Sequence, residues 1–547
     1  MLVGKYHFTT QPICAIVLSS LMISAGAFSQ TSSSYDAVDP FIGTIGGGNT
    51  FPGASLPFGM IQWSPDTTTG GWYRYNQNKV YGFSLTHISG AGCPLYADFP
   101  FLPLSDASMT DELTSSPAIA RDNYAIGFDH RSEEAHPGYY TVTLANGVNV
   151  ALTVTSRAGI ARITFPQGGL ARLLINAGGS ADTNVHNALY PPVGREHDGS
   201  EITVESEDEV SGSVTSGGFC GTDSRYTLYF AARFQKPFQH FGVWNGDAIE
   251  KNEREAKGKH TGAWLDFGSD QPEVLMKVGI SYVSTKNARD NLNKELPGWN
   301  FDSVHSDAMQ AWVKMLDHIT AEGGTRDQGK IFYTGLYHML LSPTLFSDSN
   351  GDYIGFDSKV RSLAGARQRA QYANFSDWDI YRNPIQLQAL LMPSRVSDMM
   401  QSLVNDAEQS GWLPNWEAAN DVTYVMGGDS PAAFITSAYA FGARNFDTAA
   451  AFKYLWQGAT QPGIGPHDGE QHPFLADYLK YGYVPQDRDG MSASRALEYA
   501  NDDFVIAQFA RPTWMPTANS LPSLATGATS SIRRQNGSAR RTRMEPG

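Results

Sequence analysis

The sequence predicts a multidomain β + α protein in which a β-rich N-terminal part is followed by a helical part. The pattern of apolar and polar residues is strand-like from about residue 35 to residue 285, and it becomes helix-like from about residue 288. The 547 residues are also too many for one compact hydrophobic core. We therefore expect two or more domains of different secondary structure.

The first part of the chain alternates apolar and polar residues, as strands with one buried face do. Residues 139–144 and 148–154 both alternate, and Ala145-Asn146-Gly147 between them predicts a hairpin turn. Further strand-like runs are 161–165, 172–175, 226–234 and 275–282. Glycine is dense in this region and helical periodicity is scarce. These features predict a large antiparallel β-sandwich.

The second part carries apolar residues at helical spacing in seven segments, namely 304–316, 330–345, 384–391, 395–408, 430–442, 446–457 and 492–509. Ser430, before Pro431, is predicted to cap one helix, because proline is tolerated in a first turn. The intervening loops are rich in Trp, Tyr, Gly, Asp and Pro. Such loops suggest a pocket at one end of a helical array. The pattern does not distinguish a toroid from a bundle.

The two ends of the chain differ from the rest. Lys5, an apolar stretch over 13–27 and the small residues Ala27 and Ser29 predict a secretory signal peptide over 1–29; an ordinary apolar helix is the alternative. We therefore expect a secreted or periplasmic protein. Residues 511–547 hold six Arg and a single acid, lack periodicity, and are predicted to be disordered. Because no helix stop signal precedes Arg511, we hypothesise an out-of-frame tail, which translation of the other reading frames would test.

The amino-acid composition limits the classes of partner that we expect this protein to bind. The net charge of −15 argues against nucleic acid, since phosphate binding needs basic patches. No stretch after the signal peptide is long and apolar enough for a membrane span. Aromatic content of 12% suits a sugar-binding cleft, although large β-rich exported proteins also use many aromatic residues. Cys93 and Cys220 either pair in an oxidising compartment or stay as two buried thiols.

A glycine-rich run occupies residues 38–54, which read Val-Asp-Pro-Phe-Ile-Gly-Thr-Ile-Gly-Gly-Gly-Asn-Thr-Phe-Pro-Gly-Ala. Glycine lets a backbone approach a ligand closely. The run is not a phosphate-binding loop, because no Gly-Lys-Ser/Thr ending follows. Taken alone, it predicts a tight structural loop.

This run strongly resembles the opening of glycoside hydrolase family 92, the calcium-dependent, inverting exo-α-mannosidases. The resemblance continues through residues 82–93, 331–338, 374–382, 411–417 and 497–503, which keep the family's order over about residues 36–510. The blocks include Asn374-Phe375-Ser376-Asp377-Trp378-Asp379, Gly411-Trp412-Leu413-Pro414-Asn415-Trp416-Glu417 and Leu497-Glu498-Tyr499-Ala500-Asn501-Asp502-Asp503.

The resemblance implies a fold, a partner and a cofactor. The fold is an N-terminal β-sandwich (36–285), a helical linker (286–329) and an incomplete (α/α)6 toroid (330–510). The partners are mannose-containing glycans and the cofactor is calcium. A complete toroid has twelve main helices and the sequence suggests about seven. Uncovered apolar faces should therefore lower solubility.

The resemblance also implies residues that bind the terminal sugar. Trp378 and Asp379 match the subsite for terminal mannose, where a ring covers the sugar and a carboxylate accepts from its hydroxyls. Without the resemblance, a helix-capping aspartate beside a core tryptophan would be favoured. Trp72 resembles the tryptophan that reaches into the cleft from the sandwich, although a core or surface aromatic residue is its alternative.

The resemblance implies further pocket residues, for which the residue types alone give less support. Thr50 and Phe51 are expected to meet the sugar from the sandwich side. Trp416 and Glu417 are plausible pocket residues on the helical side. His87 and Asp98 are expected to be structural polar groups, and no metal ligand is assigned.

Inverting hydrolysis needs two carboxyl groups, about 6.5–9.5 Å apart. The family's acid lies in an Asn-Glu-Pro-Ser type block and its base in an Asp-Asp-x-Gly-x-Met-Ser type block, both beyond the Leu-Glu-Tyr-Ala helix. Neither block follows Ala510, and Asp489-Gly490-Met491-Ser492 lies before that helix. No catalytic residue is therefore assigned, the calcium ligands are expected in the same missing segment, and the chain is expected to be inactive as written. The alternative is a non-catalytic carbohydrate-binding remnant.

Overall fold

The computed structural model describes residues 33–68, 71–105, 113, 115–118, 121–179 and 199–511. The signal peptide predicted over 1–29 and, apart from Arg511, the tail predicted over 511–547 lie outside these residues, so both stay predictions. No helix within the described ranges is long and apolar enough to cross a membrane.

The N-terminal part consists of eighteen strands in the described residues, together with one short helix. They are β1 Ala54–Ser55, β2 Gln62–Asp66, β3 Lys79–Val80, β4 Gly82–Ser84, β5 Phe101–Leu104, α1 Arg121–Tyr124, β6 Ile126–His136, β7 Tyr139–Leu144, β8 Asn149–Val154, β9 Ala158–Thr164, β10 Arg172–Ile175, β11 Gly199–Val204, β12 Glu209–Gly217, β13 Arg225–Phe234, β14 His240–Asn245, β15 Ala248–Lys251, β16 Glu255–Gly258, β17 Thr261–Asp266 and β18 Glu273–Ser281.

These strands form two antiparallel sheets. One has the order β1-β2-β4-β5-β10-β17-β14-β15, and the other has the order β16-β11-β12-β13-β18-β9-β8-β7-β6-β3. Phe101 of the first sheet and Phe230 of the second meet edge to face, with ring centroids 5.9 Å apart. Gly159 leaves room for Trp63, because a Cβ at this position would come within 2.7 Å of the indole ring. The predicted antiparallel sandwich is confirmed.

The predicted hairpin is present between β7 and β8. Val142 pairs with Val150, and both side chains are buried. Gly147 adopts a φ of 80° in the turn, a conformation that costs glycine little. The strands β9, β10, β13 and β18 also occur where the alternating pattern predicts strands.

Two linker helices join the sandwich to the helical part: α2 Thr285–Glu295 and α3 Phe301–Leu316. α2 packs against β18, where Gly279 permits a close approach: a Cβ there would lie 2.9 Å from the Leu292 side chain. The apolar pattern missed α2 because its buried face also carries Asn287 and Asn291, which both donate to Asp348.

The helical part contains eight further α-helices within the described residues, with three two-stranded antiparallel sheets between them. The helices are α4 Arg326–Met339, α5 Asp377–Ile380, α6 Pro384–Leu391, α7 Pro393–Ser410, α8 Ser430–Ala440, α9 Thr448–Thr460, α10 Leu475–Tyr481 and α11 Ser492–Phe509. The strands of these small sheets are β19 Thr344–Leu345, β20 Asp352–Ile354, β21 Val360–Ser362, β22 Tyr372–Ala373, β23 Glu417–Ala418 and β24 Asp421–Val422, and β19 pairs with β22, β20 with β21 and β23 with β24. A helical region after the sandwich is confirmed.

Two local predictions in this part are wrong. The helix expected over 330–345 is α4, which ends at Met339, because Pro343 has no N–H to continue a helix and the chain enters β19. Ser430 does not cap α8: it is the first helical residue, after Asp429. Asp429 makes no capping bond either, since its carboxylate faces His472 at 3.3 Å.

The sandwich and the helical part share buried contacts. Phe51 and Phe58 lie in the same hydrophobic cluster as Trp312 and the core of the α-helices. The Trp312 indole N–H donates to the Ser55 carbonyl at 2.7 Å, and the Phe58 N–H donates to Leu340 at 2.8 Å. β18 ends at Ser281 and α4 begins at Arg326, each four residues before the domain boundaries predicted from the sequence.

Candidate functional site

The site lies where a turn of the sandwich meets the loops of the helical part. Cys93 and Cys220 form a disulfide, which answers the question that the sequence left open. Next to it, the Phe219 ring stacks on the Trp416 ring with centroids 4.1 Å apart and an angle of 11° between the planes. A residue of the β-domain thus fixes the position of a tryptophan in the helical domain.

Trp416 connects this stack to a carboxylate. Its indole N–H donates to Oδ2 of Asp379 at 3.0 Å. The Asp377 carboxylate accepts from the backbone N–H of Trp378 at 2.7 Å and from that of Trp416 at 3.4 Å. Burial raises the pKa of Asp377. Asp377 therefore holds α5 and the Trp416 loop at a fixed distance.

Asp379 remains accessible to solvent at the edge of this loop. Partial desolvation by the surrounding protein raises the pKa of its carboxyl, while the Trp416 hydrogen bond and the Arg382 charge oppose that rise. The alternative that Asp379 caps a helix is not observed, because it is the third residue of α5 and its carboxylate accepts from Trp416.

Trp378 forms the second half of the site. Its side chain is half-buried, and its indole N–H donates to Oε1 of Glu498 at 3.3 Å. The Arg382 guanidinium lies over the Trp378 ring at 4.5 Å and is 3.9 Å from the same Glu498 oxygen. We refer to Trp378, Asp379, Arg382, Trp416 and Glu498 as the Trp378 cluster.

The Trp378 cluster offers what a sugar ring needs. An aromatic face can cover the apolar side of a sugar, and carboxylates together with a guanidinium can bond its hydroxyls. Arg382, Glu498 and Phe219 were not predicted from the sequence as residues of the site. Arg382 and Glu498 stand inside the blocks that carry the family resemblance, so the blocks contained a signal for both. No sequence signal marks Phe219, because only its stack with Trp416 shows that it belongs to the site.

The other predicted sugar-binding residues lie at different depths. Glu417 is 1% exposed; its Oε1 accepts from the Phe375 N–H, and its Oε2 has no partner in the described part of the chain. Burial raises the pKa of Glu417, and the charge of Asp406 adds to this effect. Glu417 therefore lies beneath the Trp378 cluster and is not on its surface.

The three predicted residues of the sandwich are not part of the Trp378 cluster. Thr50 is buried, and its hydroxyl donates to the Ile42 carbonyl at 3.1 Å, which closes the glycine-rich loop. Phe51 is buried against His87, with ring centroids 5.2 Å apart. Trp72 is half-buried and covered by the Arg74 guanidinium at 4.2 Å. Their contact with a sugar stays a prediction.

His87 and Asp98 are both enclosed in the sandwich. The two ring nitrogens of His87 lie 2.8 Å from the Gln62 carbonyl and 2.9 Å from Asp66. The Asp98 carboxylate accepts from Thr86 and Tyr226. Their hydrogen bonds are internal to the sandwich, in keeping with the structural role expected from the sequence.

A second group of acids lies behind Glu498. The Asp502 carboxylate accepts from the Asp429 N–H at 2.7 Å, and burial raises the pKa of Asp502. Gly428 adopts a φ of 89°, and a Cβ there would come within 2.8 Å of Glu498 and 3.2 Å of Asp502. Among the described residues, however, no three His, Cys, Asp or Glu side chains are arranged to hold a metal ion. Since calcium takes six to eight oxygens, these residues do not fit a calcium site.

Comparison with known proteins identifies the family. The model of the glycosyl hydrolase family 92 N-terminal domain matches residues 37–281, and that of the family's catalytic domain matches residues 287–519. Together they span most of the chain.

Individual relatives agree with this match. An uncharacterized secreted glycosidase of Arthroderma benhamiae is 25% identical over 506 residues, which are 86% of this chain and 58% of that protein. A family GH92 α-mannosidase from Bacteroides thetaiotaomicron is 28% identical, with a TM-score of 0.79 over 92% of this chain and 65% of that one. It has also been solved with mannoimidazole. A family GH92 inverting mannosidase from B. thetaiotaomicron VPI-5482 is 26% identical, with a TM-score of 0.78 over 91% of this chain and 65% of that one. This chain thus spans less than two thirds of the length of each relative.

Proposed function

Because the chain belongs to glycosyl hydrolase family 92, we propose that it recognises terminal α-mannose on glycans at the Trp378 cluster. The proposed type is an α-mannosidase, α-1,2-mannosidase-like. One observation carries the proposal: a half-buried indole stands beside an accessible carboxylate, with Arg382 and Glu498 next to them. The complex of a related α-mannosidase with mannoimidazole supports mannose as the sugar.

Each residue has a proposed role. Trp378 covers the apolar face of the sugar, and Asp379 accepts hydrogen bonds from its hydroxyls. Arg382 donates to a hydroxyl oxygen and lies 3.9 Å from Glu498. Trp416 holds Asp379 through its indole N–H. Trp72, Thr50 and Phe51 would complete the pocket from the sandwich side.

We further propose that these 547 residues bind terminal mannose without hydrolysing its glycosidic bond. Inversion requires a protonated acid on the leaving oxygen and a carboxylate that activates water on the opposite face. The family's two sequence blocks for these groups are not found in the sequence, and none of the acids above is assigned to either role. The two functions to be distinguished are therefore an active α-mannosidase and a non-catalytic carbohydrate-binding chain.

Calcium stays a proposal drawn from the family alone. A calcium site would need ligands from outside the described residues, and no step is assigned to it. Export is proposed on the predicted signal peptide, and two further findings support it. A disulfide is typical of oxidising compartments, and the relative from Arthroderma benhamiae is called secreted.

Calorimetric titration with methyl α-mannoside and with α-1,2-mannobiose tests the binding proposal. We expect saturable binding that Asp379→Asn weakens about tenfold or more, since it removes a charged acceptor and keeps the shape. Asp357→Asn serves as the matched control, because that partly buried carboxylate pairs with Arg361 outside the cluster. Absence of binding, or equal binding by both variants, would exclude the site.

Mannose release from α-1,2-mannobiose, measured with calcium chloride and with EDTA, tests hydrolysis separately. We expect no release in either condition. Release that depends on calcium and is lost in Asp379→Asn would refute the proposed inactivity and establish the enzyme.

A further inference from the structure

A cavity of about 500 Å³ lies at the N-terminal end of α7, and it shares no residue with the Trp378 cluster. Its side-chain lining includes Arg369, Tyr372, Arg395 and Asp398. The backbone of the turn between α6 and α7 completes its wall. A cavity of this size has room for a monosaccharide carrying a charged group.

The charges in the cavity do not balance. Arg369 Nε donates to Oδ2 of Asp398 at 3.3 Å, so this pair is neutral. Arg395 instead lies over the Phe58 ring at 4.9 Å. Within the described ranges, no carboxylate comes within ion-pair distance of Arg395. Two arginines, whose charges both act on Asp398, therefore share one carboxylate, which leaves one positive charge in excess, and an aromatic ring fixes the position of Arg395.

A largely buried tyrosine, Tyr372, also lines the cavity. Tyr372 is 6% exposed, and its hydroxyl has no hydrogen-bond partner among the residues that the structure describes. Burial raises the pKa of Tyr372, and the charges of Arg395 and Arg369 oppose that rise. The Tyr372 hydroxyl oxygen is not among the enclosed side-chain polar atoms that lack a partner in the described residues, so it is accessible from the cavity and can donate to a ligand there.

The start of α7 adds donors of the same kind. α7 has eighteen residues and begins at Pro393 after Met392, which provides no side-chain cap. The first backbone N–H groups of the helix, including those of Ser394 and Arg395, therefore lack a side-chain acceptor. Their partial positive charge adds to that of Arg395. A guanidinium, a hydroxyl and helix N–H groups thus surround one space, and all of them can donate.

We propose that this cavity binds a tetrahedral oxyanion, a sulfate or phosphate group, with Arg395 and Tyr372 as its principal donors. The charge and the size of the cavity fit such a group as an ester on a sugar or as the free ion. The proposal does not depend on mannose recognition at the Trp378 cluster.

Calorimetric titration of the full chain with sodium sulfate, sodium phosphate and sodium acetate at constant ionic strength tests the proposal. We expect saturable binding of sulfate or phosphate and weaker binding of acetate. Arg395→Gln should weaken binding at least about tenfold, because charge-assisted hydrogen bonds are the strong ones. Tyr372→Phe should weaken it by a smaller factor, since only a neutral hydroxyl is lost.

Arg444→Gln is the matched control, because Arg444 also lies over an aromatic ring, that of Tyr439, but does not line this cavity. Circular dichroism melting of each variant separates loss of binding from loss of fold. The tighter of the two tetrahedral anions identifies the ester chemistry, and sugar monophosphates or sulfates then distinguish an ester from the free ion. Binding that is non-saturable, that is equally tight for acetate, or that Arg395→Gln leaves unchanged would overturn the proposal.

Discussion

The indole N–H of Trp416 donates to Oδ2 of Asp379 at 3.0 Å, and the Trp416 ring stacks on the ring of Phe219 in the sandwich. The position of Asp379 is therefore set by a contact between the two domains. Amino-acid substitutions in the β-domain are therefore expected to affect the geometry of the Trp378 cluster.

Trp416→Phe should keep the stack with Phe219 and lose the hydrogen bond to Asp379. Because that bond lowers the pKa of Asp379, its loss should raise the pKa further. Mannoside binding that needs the ionised carboxylate should then shift to higher pH, and affinity at neutral pH should fall several-fold. Calorimetric titration from acid to neutral pH measures both effects. Trp244→Phe is the control: its buried indole N–H has no partner in the described structure, so it should change stability without shifting the pH profile.

Asp98→Asn should alter the pH dependence of stability. Burial raises the pKa of Asp98 to about 7 from an ordinary value of 3.8. The folded chain therefore holds a proton that the unfolded chain releases, so stability is fully present below the unfolded pKa and is lost as pH rises to about 7. This loss amounts to at most about 1.4 kcal/mol per pH unit.

The Asp98→Asn variant should lack that slope, because an amide side chain takes up no proton in this pH range. Urea unfolding at several pH values between the two pKa values measures the slope. Asp129→Asn is the control, since Asp129 is exposed and its pKa is lowered to about 2 by Arg131. Identical slopes in wild type and Asp98→Asn would contradict the assignment.

Removal of the disulfide should affect both stability and binding. The Cys93→Ala/Cys220→Ala double variant opens a link across 127 residues, for which a loss of about 2–5 kcal/mol is typical. It should also loosen Phe219 and so weaken mannoside binding, because Phe219 supports Trp416. Differential scanning calorimetry and titration at a temperature well below the melting point measure the two effects. Unchanged affinity in the folded double variant would show that the Phe219 turn holds without the bond.

Two glycine substitutions should change stability in opposite directions. Gly279→Ala places a Cβ 2.9 Å from the Leu292 side chain and closer still to the Ala288 carbonyl, so it should cost about 1–3 kcal/mol. Gly335→Ala, inside α4, meets nothing within 4 Å and should stabilise by about 1 kcal/mol. Chemical unfolding of both variants gives the comparison. Similar effects at the two positions would contradict the packing of α2 against β18.

The sequence alone predicted the long helices and six of the sandwich strands, because these elements follow periodic burial. The bounds of β7, β10, α6 and α11 match the predicted runs, since in each the apolar pattern is not interrupted. α2 escaped the prediction because buried asparagines occupy part of its inner face. α4 ended early because Pro343 lies where the apolar pattern still continued.

The family blocks, in their order along the chain, also pointed to Trp378, Asp379 and Trp416 from the sequence by itself, and the structure brings these three together. Only the tertiary structure decided the rest of the site. Glu417 follows Trp416 directly and both side chains are buried, but only the Trp416 indole N–H bonds to Asp379, whereas the Glu417 carboxylate accepts from the Phe375 backbone N–H. Phe219, Arg382 and Glu498 come from segments far apart in the chain, and no local pattern encodes a stack or an ion pair across such separations. Contacts of that kind depend on how the domains pack against each other, which residue spacing within any one segment does not specify.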